Sequence, residues 1–183
     1  IPVAMVTGTN GKSTTVRMTA SIMSAAGLRA GLTSTDFIRV GDRVIDTGDY
    51  SGTGGARTLM RQKDVEMAVL EVARGGLLRR GLGLEQVDVS VVTNVAADHL
   101  GDYGIYSVDD LIPAKFIVHR ALGPDAPLVL NADDPGVVAY AQTLDNRIHW
   151  FSLEADNPEV LKALQLGGSA CYLDGEGLYY ADA

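Results

Sequence analysis

Apolar residues along this chain follow two rhythms, and the rhythms alternate. Ile1–Val6 (IPVAMV) is a short apolar run of the kind a parallel strand shows when both its faces are buried. Beyond it, Val16, Ala20 and Met23 fall on one helical face with Arg17, Ser21 and Ser24 between them, and Gly27 follows as a C-cap. The same alternation predicts further strands at Leu32–Thr35, Met67–Val72, Val89–Asn94, Leu128–Asn131 and Ile148–Phe151, after a first one at Val3–Thr7. Helices are predicted at Ser13–Ala26, Ala56–Arg61, Ser107–Leu122, Gly136–Leu144 and Pro158–Leu166. "FIRVGDRVID" and "ACYLDGEGLYY" read as hairpins turning at Gly41-Asp42 and near Asp174-Gly175. Strands alternating with helices imply parallel βαβ units. The expected fold is α/β: one doubly wound, mostly parallel sheet over residues 1–183, with a small antiparallel extension at its end.

Composition narrows the partners. At 183 residues and 46% hydrophobic, the chain can bury one good core. A net charge of −8 argues against nucleic acid or an acidic membrane as a partner. A single cysteine, Cys171, excludes an internal disulfide framework and fits a reducing, cytoplasmic setting. No apolar run has membrane-spanning length, and no basic-then-apolar leader opens the chain. The chain begins directly in a strand and stops at "YYADA" without a terminal cap, which reads as a piece of a larger protein.

The chemistry is concentrated between the first strand and the first helix, in "VTGTNGKSTT". The common phosphate loop, G-x-x-x-x-G-K-[ST], would need a glycine at position 6, where this chain has Val6; its loop is the shorter Gly8-Thr9-Asn10-Gly11-Lys12-Ser13, followed by Thr14. A strand-to-helix junction offers free backbone N–H groups and the positive end of the helix dipole to an anion. Lys12 can reach the outer phosphates and the Ser13 hydroxyl can ligate magnesium, so the stretch reads as a nucleoside triphosphate site.

In a sheet of this kind ligands bind beyond the C-terminal ends of the strands. "MAVLEV" brings Glu71 to such an end, followed by the glycine-containing loop Arg74-Gly75-Gly76. A carboxylate in an apolar strand needs a partner or a metal, and beside a phosphate loop a metal is the better fit. "DVSVVTNV" runs on through Asn94, a candidate nucleotide contact, into "AADHL", which places Asp98 and His99 at the same edge. "LVL" leads to "NADDP", where Asn131 is free to read an adenine edge and Asp134 before Pro135 has the pattern of an N-cap with proline at the first helical position.

Together "TGTNGKSTT", "LEVARGGLLRRGLG", "TNVAADHLG", "PAKF" and "LNADDP" occur in the order found in the central ATPase domain of Mur-type amide ligases, and the chain resembles that family over nearly its whole length. Within the family, "EVARGGLLRRGLG" and "TNVAADHLG" are most similar to the cyanophycin-forming branch, whose substrate loop "GDYSG" (Asp49, Ser51, Gly52) also resembles. The resemblance implies a P-loop NTPase type of sheet and an ATP-dependent reaction. A substrate carboxylate is phosphorylated, and an amino-acid amine then attacks the acyl phosphate to give an amide and ADP. It implies that Lys12 and the amides around Gly11 hold the β- and γ-phosphates and that Ser13 and Glu71 ligate one magnesium. His99 would ligate a second magnesium, Lys115 would be carried as a carbamate, and Asn131 would contact adenine. It also implies a C-terminal lid and amino-terminal regions in the same polypeptide that are absent from these residues.

Two departures stand out: Thr53 where the cyanophycin-type loop continues with proline, and Pro113 just before Lys115. "SVDDLIPAKF" offers Ser107 and Asp110 as a capping box. If Pro113 restarts the helix at its first position, Lys115 falls in the first turn, where a bare ammonium opposes the dipole and a carbamate suits it. Arg79 and Arg80 could meet an acidic acceptor or form a solvated face. Two other classes stay open on sequence alone: a P-loop small-molecule phosphotransferase, which leaves "ADHLG" and "PAKF" unexplained, and a non-catalytic nucleotide-binding module, which could dispense with His99.

Overall fold

A computed structural model describes residues 1–97, 100–101 and 104–182. Ten strands form one sheet: β1 (Val3–Thr7), β2 (Ala30–Thr33), β3 (Phe37–Val40), β4 (Arg43–Thr47), β5 (Met67–Glu71), β6 (Val89–Val92), β7 (Leu128–Asn131), β8 (Ile148–Ser152), β9 (Ser169–Asp174) and β10 (Gly177–Asp182). The helices are α1 (Lys12–Ala25), α2 (Thr53–Met60), α3 (Arg74–Arg80), α4 (Val108–Phe116, continued by a 3-10 turn over Ile117–Ala121), α5 (Pro135–Ala141) and α6 (Pro158–Gln165). Among the described residues no helix is long and apolar enough to cross a membrane.

The sheet order is β10-β9-β8-β7-β6-β1-β5-β2-β3-β4. From β2 through β9 the strands other than β3 and β4 pair in parallel, and antiparallel partners close both edges, β3–β4 on one side and β10 on the other. The antiparallel extension expected at the end of the chain is therefore matched by a second one at the opposite edge. Connection handedness then fixes where the helices lie. The β1-to-β2 crossover steps toward the β4 edge; from β5 onward every crossover steps toward the β10 edge. Parallel crossovers are right-handed, so α1 lies on one face and α3 to α6 on the other. The core divides accordingly. A small cluster joins Val16 and Ala20 of α1 to Ala4, Val6, Leu32 and Val69, while the large cluster gathers residues of α2 to α6 against the opposite face.

The largest miss in the sequence reading is α3, taken as a loop because of Gly75 and Gly76. Glycine disfavours a helix by about 1 kcal/mol relative to alanine, but here packing decides: a Cβ at Gly76 would lie 3.0 Å from the Gly52 Cα, so the close approach of α3 to the start of α2 requires glycine. α2 begins at Thr53, three residues before the expected Ala56, and within it Gly55 lies where a Cβ would come within 2.1 Å of the Tyr50 carbonyl.

Candidate active site

The first helix opens without a side-chain cap. Its N-cap is Gly11 at φ 84°, a left-handed conformation glycine adopts freely, and no side chain bonds the amides of the first turn. Those donors, with the dipole behind them, face the Gly8–Asn10 loop. The Lys12 ammonium folds back across that loop and donates to the Thr9 carbonyl at 2.8 Å. The loop itself is held from outside. Thr93 Oγ1 donates to the Asn10 carbonyl at 2.6 Å and lies 3.2 Å from the Thr7 carbonyl. The Asn94 side chain takes both backbone groups of Asn10, accepting from its N–H at 2.9 Å and donating to its carbonyl at 3.2 Å. Thr9 N–H donates to the Asn94 carbonyl at 2.9 Å, and Thr9 Oγ1 exchanges bonds with the backbone of Ala96. Gly8, at φ 143°, lies so close to Thr93 that a Cβ there would sit 1.9 Å from Oγ1.

Beside the loop, Glu71 ends β5 at 2% exposure. Its Oε2 accepts from Ser13 Oγ at 2.8 Å and from Thr35 N–H at 3.3 Å. Its Oε1 is buried and has no hydrogen-bond partner among the described residues. The ion pairs seen there join Arg17 to Asp36, Arg29 to Glu66 and Arg43 to Asp64; none reaches Glu71. A buried carboxylate without a counter-charge is costly, and a divalent cation is the partner this arrangement fits. Magnesium needs only one or two protein carboxylates when phosphate and water oxygens complete its shell. Thr35 was not singled out in the sequence; its Oγ1 lies 3.5 Å from Ser13 Oγ, so it joins the same polar group.

Lys115 is buried, and its Nζ donates to the Gly8 carbonyl at 2.8 Å across 107 positions of sequence. Its placement corrects the expectation of a helix restarted at Pro113. The Ser107–Asp110 capping box forms, α4 runs unbroken through Pro113, and Lys115 lies in its last turn. There the dipole favours a cation, so the dipole argument for a carbamate falls away. Pro113 is tolerated because it is exposed, leaving the carbonyl one turn back to water.

Asn131 and Asp134 turn out to be occupied by the scaffold. The Asn131 amide donates to the Thr93 carbonyl at 3.0 Å and accepts from Asp133 N–H at 2.9 Å. Asp134 Oδ1 caps α5 through Gly136 and Val137, and Oδ2 accepts from Val95 N–H at 2.7 Å. Both brace the loop that braces the phosphate loop. Thr14 is exposed on the first turn of α1. Asp98 and His99 lie outside the described residues.

A cavity of about 370 Å³ opens next to this centre, lined by Asp49–Gly55, Gly76, Arg79 and Arg80. Asp49 Oδ1 fixes the loop by accepting from both Ser51 N–H (3.0 Å) and Ser51 Oγ (2.6 Å), and the Ser51 carbonyl accepts from Ala73 N–H at 2.8 Å, two residues past Glu71. The "GDYSG" loop and the two arginines, remote in sequence, thus share one wall. Only recognition that α3 is a helix would have brought them together.

One mostly parallel sheet with helices packed on it, and a short glycine-rich loop between β1 and α1 with a cavity nearby, define an α/β domain of the phosphate-loop type. A family profile confirms the class: residues 6–172 match the Mur ligase middle domain, and the chain belongs to that family. Within it, the chain is 45% identical over 176 residues to a cyanophycin synthetase of Trichormus variabilis, covering 96% of this chain and 20% of that protein. It is also 30% identical over 172 residues to a UDP-N-acetylmuramoyl-L-alanyl-D-glutamate–2,6-diaminopimelate ligase of Bacillus velezensis, covering 88% and 34%. A solved diaminopimelate ligase of that type superposes over 100% of this chain and 39% of its own with a TM-score of 0.71 at 18% identity. A bifunctional folylpolyglutamate synthase/dihydrofolate synthase with Mn, AMPPNP and L-glutamate bound gives 0.66 at 20% identity, over 99% and 47%. The chain therefore spans about a fifth of the length of the cyanophycin synthetases it matches.

Proposed function

We propose that this chain is the ATP-binding and carboxylate-activating domain of a cytoplasmic ATP-dependent carboxylate–amine ligase, of the kind that extends an amino-acid polymer. The observation that carries the reading is the buried Glu71 carboxylate, bonded on one oxygen to Ser13 and unpartnered on the other, at the mouth of an uncapped helix and beside an arginine-lined cavity. The open amides of α1 and the Lys12 ammonium, released from the Thr9 carbonyl, hold the outer phosphates of ATP. Ser13 and Glu71 would hold one magnesium, and His99 a second. Bound magnesium supplies charge neutralisation between triphosphate and carboxylate, which otherwise repel.

The 370 Å³ cavity takes the acceptor. Arg79 and Arg80 attract an acidic group, and the Asp49–Ser51 turn fixes the wall that orients its carboxylate. The carboxylate oxygen attacks the γ-phosphorus and the β–γ bridging oxygen leaves with ADP. An amino-acid amine then attacks the acyl carbon, phosphate departs and the amine loses a proton. Lys115 positions the Gly8 carbonyl during this sequence. A carbamate on Lys115 retains one N–H on nitrogen that can still donate to Gly8, while the ammonium charge is replaced by one negative charge shared over two oxygens; a carbon-13 carbamate signal in the liganded full-length protein tests for it. Amine capture and lid closure belong to parts of the polypeptide outside these residues.

The deciding assay uses the full-length protein and an acceptor carboxylate labelled with oxygen-18. Label appearing in released phosphate, with ADP release needing acceptor and amine together for full turnover, is the expected result. Unlabelled phosphate, or ADP release indifferent to acceptor, overturns the ligase reading.

A further inference from the structure

The arginines of the acceptor cavity stand on a helix that cannot hold itself. Arg79 and Arg80 form the last turn of α3, which is seven residues long, includes Gly75 and Gly76, and buries only Leu77. A helix that short is marginal on its own in water and keeps its place through contacts from elsewhere. At its start, Gly76 meets Gly52. At its end the backbone ladder closes with Gly81 N–H donating to the Leu77 carbonyl at 2.9 Å. The Arg80 and Gly81 carbonyls lie beyond that bond and need a donor from outside the helix.

The donor is Thr53, the first residue of α2. Its Oγ1 donates to the Gly81 carbonyl at 2.8 Å and lies 3.4 Å from the Arg80 carbonyl, across 28 and 27 positions of sequence. Thr53 is 4% exposed and lines the same cavity as the two arginines. Its remaining atoms are gripped as well. The chain leaving α3 passes Gly83, where a Cβ would lie 2.7 Å from Thr53 Cγ2 and 3.1 Å from its Cα, so glycine is needed there. Gly52 and Thr53, adjacent in sequence, thus clamp α3 at both ends.

An acidic ligand binds better to arginines held in place beforehand than to arginines it must order itself. We infer that Thr53 is a positioning residue for the acceptor: its hydroxyl bond to the end of α3 sets how Arg79 and Arg80 meet the acceptor's acidic group. The inference rests on the acceptor reading of this cavity. The hydrogen bonds of Thr53 and the contacts of Gly83 involve neither the phosphate loop nor Glu71, so the effect of Thr53 falls on the acceptor and not on ATP.

The test is steady-state kinetics of the full-length protein, with acceptor and ATP varied separately. The acceptor probe is whichever short peptide ending in aspartate or glutamate best supports ADP release by the wild type, with the common amino acids supplied as amines. Thr53→Val keeps the shape and removes the donor, so the acceptor KM should rise at least about fivefold, with kcat and the ATP KM within about twofold. Thr53→Ser restores the donor and should return the acceptor KM to within about twofold of wild type. In an Arg79→Ala/Arg80→Ala background there is nothing left to position, and Thr53→Val should change acceptor kcat/KM less than about twofold. An unmoved acceptor KM in Thr53→Val, a parallel rise in the ATP KM, or a fivefold loss that persists without the arginines overturns the inference alone. Wild-type turnover that ignores every acceptor overturns the ligase reading, and this inference with it. Should Thr53→Val not fold, Gly83→Ala presses on Thr53 from the other side; folded Gly83→Ala with a wild-type acceptor KM overturns the inference as well.

Discussion

Replacing Gly8 with alanine tests the latch that shapes the phosphate loop. The new Cβ would lie 1.9 Å from Thr93 Oγ1, where 3.0 Å is the practical limit, so the hydroxyl must swing away. It then abandons its contacts with the Asn10 and Thr7 carbonyls, at 2.6 and 3.2 Å, together about 2 kcal/mol. Holding a non-glycine residue near φ 143° adds about 1–3 kcal/mol of backbone strain, giving about 3–5 kcal/mol in all. Thr93→Ala forfeits the same contacts without the strain and should cost about 2 kcal/mol. In the double variant the nearest Thr93 atom to the new Cβ is its own Cβ, at 3.1 Å, so the severe overlap with the hydroxyl is relieved and a tight contact remains. The double variant should therefore cost about as much as Gly8→Ala alone, leaving a coupling of about 2 kcal/mol in the cycle. Urea unfolding of the four proteins measures it, with Mg-ATP titration reporting the loop. Strictly additive costs would refute the claim that Thr93 is what excludes a side chain at position 8.

Other consequences can be checked in parallel. Glu71→Gln keeps an acceptor for Ser13 but removes the charge, so ATP binding should need at least tenfold more magnesium, measured by titration at fixed ATP; Lys12→Ala should abolish ATP binding under the same conditions. Asp134→Ala loses its α5 cap and the Val95 contact and should lower stability by about 2 kcal/mol in urea melts. Partial burial pushes the His119 imidazole below its usual value of 6.5, against an opposing contribution from its bond to Asn146. The folded state thus favours neutral His119, which contributes stability above about pH 6.5 that is lost as pH falls through the lower folded value. His119→Gln should flatten the decline of the urea midpoint between pH 7 and 5; an unchanged slope would remove His119 from that account.

The parallel strands were legible because each is a short apolar run followed by a helical period; Val3–Thr7 and Leu128–Asn131 coincide with the observed strands residue for residue. The cap signals at Ser107–Asp110 and Asp134-Pro135 also form as read. What stayed hidden depends on contacts between distant segments. Gly75 and Gly76 are poor helix residues locally; the approach of Gly52 accounts for Gly76, while a Cβ at Gly75 would meet open space. Asn94 and Asn131 were read as ligand-facing because exposed amides at strand ends often are. The sequence does not reveal that the backbone of Asn10 and the carbonyl of Thr93 come close enough to claim them. Thr35 gave no signal by type or spacing; it matters because β2 ends beside β5.

The Lys115–Gly8 bond also has a bearing on the order in which the molecule comes into being. It ties the first turn of the chain to a residue 107 positions later, and the Thr93 and Asn94 contacts span more than 80. During synthesis β1, the loop and α1 emerge together, yet β1's neighbours β5 and β6 and the α4 lysine do not exist until much later. A nascent chain stopped short of β6 therefore carries a recognisable phosphate-loop sequence without the distant side chains that hold its Asn10 carbonyl, and one stopped short of α4 still lacks the lysine that holds Gly8. If the proposed site binds nucleotide, it can act as a folding ligand only after residue 115 has left the ribosome, stabilising a chain that already has α4 and not its earlier fragments.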